Sequence, residues 1–320
     1  MASAGSRRVV VIVAAAALVA AGAIVGGTAL QSRNERTSFP TQPGQPPLEL
    51  EFGLRTDAEA RALSRAEKLF DNDREVAAAA AIFRSYHSVE AQLGLAFTSW
   101  RGQASLGAVQ QIAAAHPNDP AALLNLGWAD YWAGRNSLAL TAWEHTARAY
   151  ADSGYGVDAE DALHSRYRIP GLPVIVTGIK APPSLDSFAA VKRAASGRDE
   201  QAKLLYGTAL WNLKMPLSAE RQFVAAAKLA PHDPLAQTLA AVGLFSKANP
   251  TRAFGQLGPL TAVFPNSPVV EFHLGVMLLW IGEDVKAAEH LRAVLADAPK
   301  SPWATYARTL LVSLARAASR

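Results

Sequence analysis

Proline returns in this chain at a fixed interval. Pro231, Pro265 and Pro299 stand 34 residues apart. Each opens a variant of one tetrapeptide: Pro231-His232-Asp233-Pro234, Pro265-Asn266-Ser267-Pro268 and Pro299-Lys300-Ser301-Pro302. A fourth copy, Pro117-Asn118-Asp119-Pro120, lies upstream. A period of this size describes an array in which each unit buries its apolar face against its neighbours rather than in one central core. Proline lacks an N–H and clashes with the preceding turn, so a helix ends at the first proline of each junction. The Asp or Ser before the second proline reads as an N-cap, with Pro at the first helical position.

Other positions keep the same register. Counting from Glu200 as position one, Gly207 falls at 8, Ala219 at 20, Phe223 at 24, Ala226 at 27 and Pro231 at 32. The unit from Pro268 repeats this with Leu274-Gly275, Ala287, Leu291 and Pro299, and the unit from Pro120 with Leu126-Gly127, Ala139 and Trp143. The small residues at 8 and 20 predict a close crossing of two helices. The large residue at 24 is expected to fill the gap between one unit and the next.

This pattern resembles the tetratricopeptide repeat over most of residues 86–301. The resemblance implies an all-α, right-handed superhelical solenoid of antiparallel helix pairs, with repeats over 57–301 and a capping helix over 302–320. Tyr86–Asp119 forms a further unit, and Ala58–Ser85 a degenerate first one with its turn at Asn72-Asp73. Pro117 and Pro231 are separated by three periods and about a dozen extra residues. These fall between a helix expected over Val157–Arg168 and its partner over Ser184–Ala195. The intervening 169–183 segment holds four prolines and a β-branched run. It reads as a loop projecting from the solenoid, with a short strand over Val174–Thr177.

Residues Val9–Leu30 carry no charge and include ten Val, Ile and Leu residues. As a helix, 22 residues span roughly 33 Å, enough for a bilayer core of about 30 Å. Arg7 and Arg8 precede the run, which favours residues 1–8 in the cytoplasm and the repeats outside. Two readings stay open: an uncleaved membrane anchor, favoured by length, or a signal peptide cut near Ala21-Gly-Ala23 or Gly27-Thr-Ala29, leaving a secreted domain. Pro40, Pro43, Pro46 and Pro47 make 31–56 read as a stiff tether. The chain has no Cys, which removes disulfides and thiolate chemistry. Its 31 basic and 27 acidic residues are interspersed, without the stripe that tracks a phosphate backbone, so nucleic acid is set aside.

The resemblance also implies that the first helix of each pair lines a concave face, through positions 2, 5, 6, 9, 12 and 13. Mapped here, that face is aromatic: Asn125, Trp128, Tyr131 and Trp132; Thr208, Trp211 and Asn212; Phe245; and Phe272, His273 and Trp280. Aromatic side chains give large contact area for few frozen torsions. Trp128, Tyr131 and Trp132 share one helix face, which is either groove or core on periodicity alone. The basic and Asn positions with which some members clamp a terminal carboxylate are occupied by Leu124 and Trp128, Leu204 and Thr208, Phe272 and Val276. An apolar or aromatic segment, or a helix, is therefore the expected partner.

Catalysis has little support. The seven His are scattered and none stands in a His-Glu-x-x-His pattern. There is no nucleophile elbow and no Gly-rich phosphate loop. Asp71-Asn72-Asp73 starts like a calcium loop, but Val76 occupies the glycine position. No enzyme activity, cofactor or metal is expected. The sequence reads as a membrane-tethered scaffold binding a protein or peptide. The alternatives are an assembly factor of the cytochrome c maturation kind, or an accessory subunit of an envelope complex that uses the 169–183 loop.

Overall fold

A computed structural model describes residues 44–71 and 75–318. Among them are fifteen α-helices, one short 3-10 turn at Pro183–Leu185, and no strand. The anchor or signal read over 9–30, the first part of the tether and the Asn72-Asp73 turn lie outside the described residues. Among the described residues, no helix is long and apolar enough to cross a membrane.

The chain forms two compact units that divide between Leu163 and His164. The N-terminal unit holds α1 (Ala58–Asp71), α2 (Val76–Phe83), α3 (Val89–Thr98), α4 (Gln103–Ala115), α5 (Pro120–Trp132), α6 (Asn136–Ala149) and α7 (Gly154–Leu163). The C-terminal unit holds α8 (Phe188–Ala195), α9 (Glu200–Asn212), α10 (Pro216–Leu229), α11 (Pro234–Val242), α12 (Thr251–Val263), α13 (Pro268–Trp280), α14 (Asp284–Asp297) and α15 (Pro302–Ala318). Within each unit a helix packs on the next in sequence. First helices of successive pairs also touch: α1 on α3, α3 on α5 and α5 on α7; α9 on α11, α11 on α13 and α13 on α15. This nearest-neighbour packing is the signature of an array. The helices expected to pair across the 169–183 insertion, α7 and α8, belong to different units.

The junction chemistry sets the helix starts. Asp119 accepts from Ala122 N over 2.9 Å, Asp199 from Ala202 N over 3.1 Å and Asp233 from Leu235 N over 2.9 Å. Ser267 occupies the same place before Pro268, but its hydroxyl makes no cap bond. The glycine at position 8 admits the large residue at 24. A Cβ on Gly127 would run into the Trp143 ring, one on Gly207 would lie 2.5 Å from Phe223, and one on Gly275 would lie 3.0 Å from Leu291. These large side chains were expected between units, yet each sits over the glycine of its own helix pair. Phe223 does both, also lying within 3.1 Å of a Cβ on Gly243, the residue that caps the C-terminus of α11.

Candidate functional site

In each unit an extended piece of the chain lies against the first helices. In the N-terminal unit it is residues 46–52. Pro46, Leu48 and Leu50 are buried, and the residues between them are half-buried, the period-2 alternation of a strand. No second strand pairs with it; side chains read its backbone instead. Leu50 N donates to Glu67 Oε1 over 2.7 Å, and Leu48 N to the Asp71 carboxylate, both on α1. Glu49 N donates to Asn125 Oδ1 over 3.1 Å, and Asn125 Nδ2 returns a bond to Glu49 O over 2.8 Å. Glu51 N donates to the Tyr155 hydroxyl over 3.1 Å. A Cβ on Gly154 would lie 2.6 Å from the Glu51 carboxyl, so the glycine leaves room for the segment. Burial raises the Glu67 carboxyl to about 8; the Leu50 N–H opposes this, and nearby Glu49, Asp71 and Glu51 add to it. The stiff tether expected over 31–56 is therefore, in its 46–52 part, packed chain.

The C-terminal unit holds the insertion in the same manner. Instead of projecting, residues 169–179 lie on the helices with Ile169, Pro173, Ile175 and Val176 buried, and no strand forms over 174–177. Lys247 Nζ donates to Ile169 O over 2.7 Å and Trp280 Nε1 to Gly171 O over 3.2 Å. Trp211 Nε1 donates to Pro173 O over 2.7 Å, and Trp303 Nε1 to Val176 O over 2.8 Å. Val176 N donates to His273 Nε2 over 3.2 Å, which fixes the other ring proton on Nδ1, 2.7 Å from its acceptor Val269 O. His273 is 1% exposed, and burial lowers it to about 4, so the ring is neutral as this pairing requires.

Asn125 and His273 are both the sixth residue of their helices, α5 and α13, and each engages the main chain of an extended segment. The remaining expected site residues divide. Trp211 and Trp280 are buried under the insertion that they hold. Phe245 and Phe272 lie in the apolar core, Phe272 edge-on to His273 at 5.1 Å. Thr208 returns its hydroxyl to Leu204 O over 2.8 Å, and Asn212 is exposed. Trp128, Tyr131 and Trp132 are half-buried and stack edge-to-face on one another, with Trp128 4.8 Å from the Trp143 ring. The indole N–H groups of Trp128 and Trp132 are shut off from water and have no acceptor in the protein.

Sequence reasoning missed Lys247, Trp303, Glu67, Asp71 and Tyr155. The Leu48-Glu49-Leu50-Glu51-Phe52 alternation was the available signal for the first segment. Nothing local marks Lys247, which sits in the turn after α11 and is 3% exposed. Among the described residues no cluster of His, Asp or Glu is arranged to hold a metal ion.

The architecture is an all-helical array of antiparallel pairs. Among solved structures the chain is similar to the TPR2AB domain of yeast Sti1 in complex with pHSP90, at 12% identity and a TM-score of 0.31, covering 80% of this chain and 98% of that one. It is also similar to the C-terminal part of a TPR repeat-containing protein from Cytophaga hutchinsonii, at 16% identity and a TM-score of 0.25, covering 77% and 98%. No protein-family model matches the chain, and no curated protein matches it.

Proposed function

We propose that this chain is a protein-interaction scaffold of the tetratricopeptide type, which binds an extended polypeptide on the faces of its first helices. The observation that carries this reading is the equivalence of Asn125 and His273. At one helix position, in two units, a side chain takes hold of extended backbone. A face that grips main chain accepts a partner by its conformation, and side-chain pockets then add selectivity.

The partner face of the N-terminal unit is Trp128, Tyr131 and Trp132, while Asn125 is taken up by Glu49. A buried donor without an acceptor costs about 1–3 kcal/mol, so a turn of the Trp128 or Trp132 ring that meets a partner carbonyl recovers energy that the free protein forgoes. In the C-terminal unit, Trp211, His273 and Trp280 are taken up by the chain's own segment 169–179, and Phe245 and Phe272 by the core, so the binding face is assigned to the N-terminal unit. The apolar side chains of 169–179 point into the fold, which favours groove binding over use of this loop as an external contact. The chain is tethered to a membrane by residues 9–30 with its repeats outside the cytoplasm, a placement that also suits an assembly factor for an exported apoprotein.

The test is affinity capture from native membranes with the tagged full-length chain and its Trp128→Phe/Trp132→Phe form. The substitution keeps the rings and removes both indole donors. A partner held by the native chain and lost from the variant supports the reading. Identical partners on both chains overturn it. Extraction of the same membranes with alkaline carbonate tests the tether, which requires the full-length chain to stay in the pellet.

A further inference from the structure

We propose that residues 46–52 are a pH-gated strap: it lies on α1 while Glu67 and Asp71 carry protons, and alkali releases it from helices that stay folded. The device goes beyond the scaffold reading and needs no partner.

Two periods meet in register. Leu48 and Leu50 stand two residues apart on an extended chain, a step of roughly 6.6 Å. Glu67 and Asp71 stand one turn apart on α1, a step of roughly 6 Å. Leu50 N therefore reaches Glu67 Oε1 over 2.7 Å while Leu48 N reaches the Asp71 carboxylate. Both of these bonds from strap to α1 end on carboxyls. Glu49 and Glu51, on the same strap, turn instead to Asn125 of α5 and Tyr155 of α7.

The surroundings are acidic. Burial is the main cause that holds Glu67 up, and the charges of Glu49, Asp71 and Glu51 add to it. α2, packed on α1, carries no titratable side chain, while α3 brings Glu90, α7 brings Tyr155 and the cap of α5 brings Asp119. Arg55 pairs with Asp57, Glu59 and Glu90, and Arg61, Arg65 and Lys68 of α1 are exposed. A charge arriving on Glu67 thus meets poor solvation and charges of its own sign.

The docked strap keeps Glu67 protonated up to about 8, and desolvation beside Leu48 N raises Asp71 to about 7. Once the strap lifts, water reaches both carboxyls and they return toward 4.5 and 3.8. The docked state therefore retains protons that the released state gives up. Docking is at its strongest near pH 4, weakens as pH rises through 7 and 8, and levels off above that.

Release is local because the strap and α1 are held differently. α1 buries Leu63, Ala66 and Phe70 in the core of its unit. The strap has exposed chain on both sides, Gly44 and Gln45 before it and residues 53–57 after it, so it can lift without unwinding a helix. Burial of Pro46, Leu48 and Leu50 opposes the lift, so alkali shifts a population between docked and released states. Seven freed residues add up to roughly 23 Å of slack between α1 and the chain before it. Lifting also uncovers Asn125, on the helix that carries Trp128 and Trp132.

The chain has no Cys, so a single introduced thiol reports on one place. Leu50→Cys reports on the strap, and Val109→Cys, at a position 0% exposed in α4, reports on the fold of the same unit. The readout is the rate of labelling by a thiol reagent divided by the rate for the same chain in urea at the same pH. This ratio removes the ionisation of the thiol itself. Protection in the Leu50→Cys chain should fall at least about tenfold from pH 6 to pH 9, with protection in the Val109→Cys chain unchanged. Adding Glu67→Gln and Asp71→Asn should leave the Leu50→Cys protection flat over that range. Should that form fail to fold, Glu67→Gln alone should remove most of the fall.

Constant protection in the Leu50→Cys chain overturns the proposal. An equal fall in the Val109→Cys chain does so too, since the unit is then unfolding as a whole, and so does a fall that survives removal of the carboxyls. None of these readouts involves a partner or the indoles of Trp128 and Trp132, so failure here is separable from failure of the scaffold reading.

Discussion

Asn125 holds the main chain of Glu49 from both sides, accepting from its N–H over 3.1 Å and donating to its carbonyl over 2.8 Å, across 76 residues of sequence. The same amide also donates to Ala121 O one turn back, which orients it. Asn125→Ala leaves both Glu49 groups without these bonds in a half-buried site. The expected loss is about 2 kcal/mol in urea unfolding. A glutamate-specific protease should then cut at Glu49 and Glu51 faster than in the native chain. An unchanged cleavage rate would show that the buried leucines and the Glu67, Asp71 and Tyr155 bonds hold the segment without Asn125.

Glycines in the helices separate into two kinds, and alanine scanning should sort them. Gly127→Ala places a Cβ against the Trp143 ring, whose Nε1 donates to Leu124 O over 3.3 Å. The ring and the bond cannot both stay, and a loss of about 2–3 kcal/mol is expected. A Cβ at Gly107, in the middle of α4, meets nothing within 4 Å. There Gly107→Ala should stabilise by about 0.5–1 kcal/mol, since alanine loses less backbone entropy in a helix. Thermal unfolding of the two variants checks the contrast in sign.

Acid should weaken the C-terminal unit through His273. Its folded value, about 4, lies below the ordinary 6.5, so the unfolded chain binds the extra proton first. The stabilisation is complete above pH 6.5 and is lost as pH falls toward 4, by about 3 kcal/mol in total. Protonation at Nε2 also takes away the acceptor of Val176 N. Unfolding free energy measured from pH 7 to pH 4 should show this slope, and His273→Gln should flatten it.

Glu67 works in the opposite direction. Its folded value, about 8, lies above the ordinary 4.5, so the folded chain keeps a proton that the unfolded chain has given up. The penalty is absent below pH 4.5, grows as pH rises, and is complete above 8. Glu67→Gln keeps an oxygen for Leu50 N and removes the charge. It should be more stable than the native chain at pH 9, with the gap closing toward pH 5. A constant gap across that range would rule out the titration of this carboxyl as its cause.

The helix pairs were legible because their determinants are local and repeat. Asp119-Pro120 and Asp233-Pro234 start helices, and Gly207 with Phe223 or Gly275 with Leu291 sets a crossing within one 34-residue period. The two extended segments were not legible in the same way. Their partners stand far off in sequence: Val176 meets His273 at a separation of 97 and Trp303 at 127. Pro46, Pro47 and the prolines of 169–183 do exclude an α-helix, but a stretch that is not helical is not thereby held away from the fold. An extended chain reaches the interior when side chains satisfy its backbone, and no periodicity announces that. The aromatic positions were found from register, yet whether Trp211 faces solvent or covered chain depended on where the insertion lay.

Lys247, Trp211, Trp280, His273 and Trp303 hold the 169–179 segment by its main chain, while Ile169, Ile175 and Val176 tie it in through buried side chains. Constraint on mutation is then lopsided. Substituting a holder breaks a bond, whereas Leu172 or Val174 can be exchanged for another residue of similar bulk at little cost. In descendants of such a chain the insertion would drift in spelling while its five holders stood still. A reader ranking positions by constancy would then discard the very stretch that covers the indoles of Trp211 and Trp280.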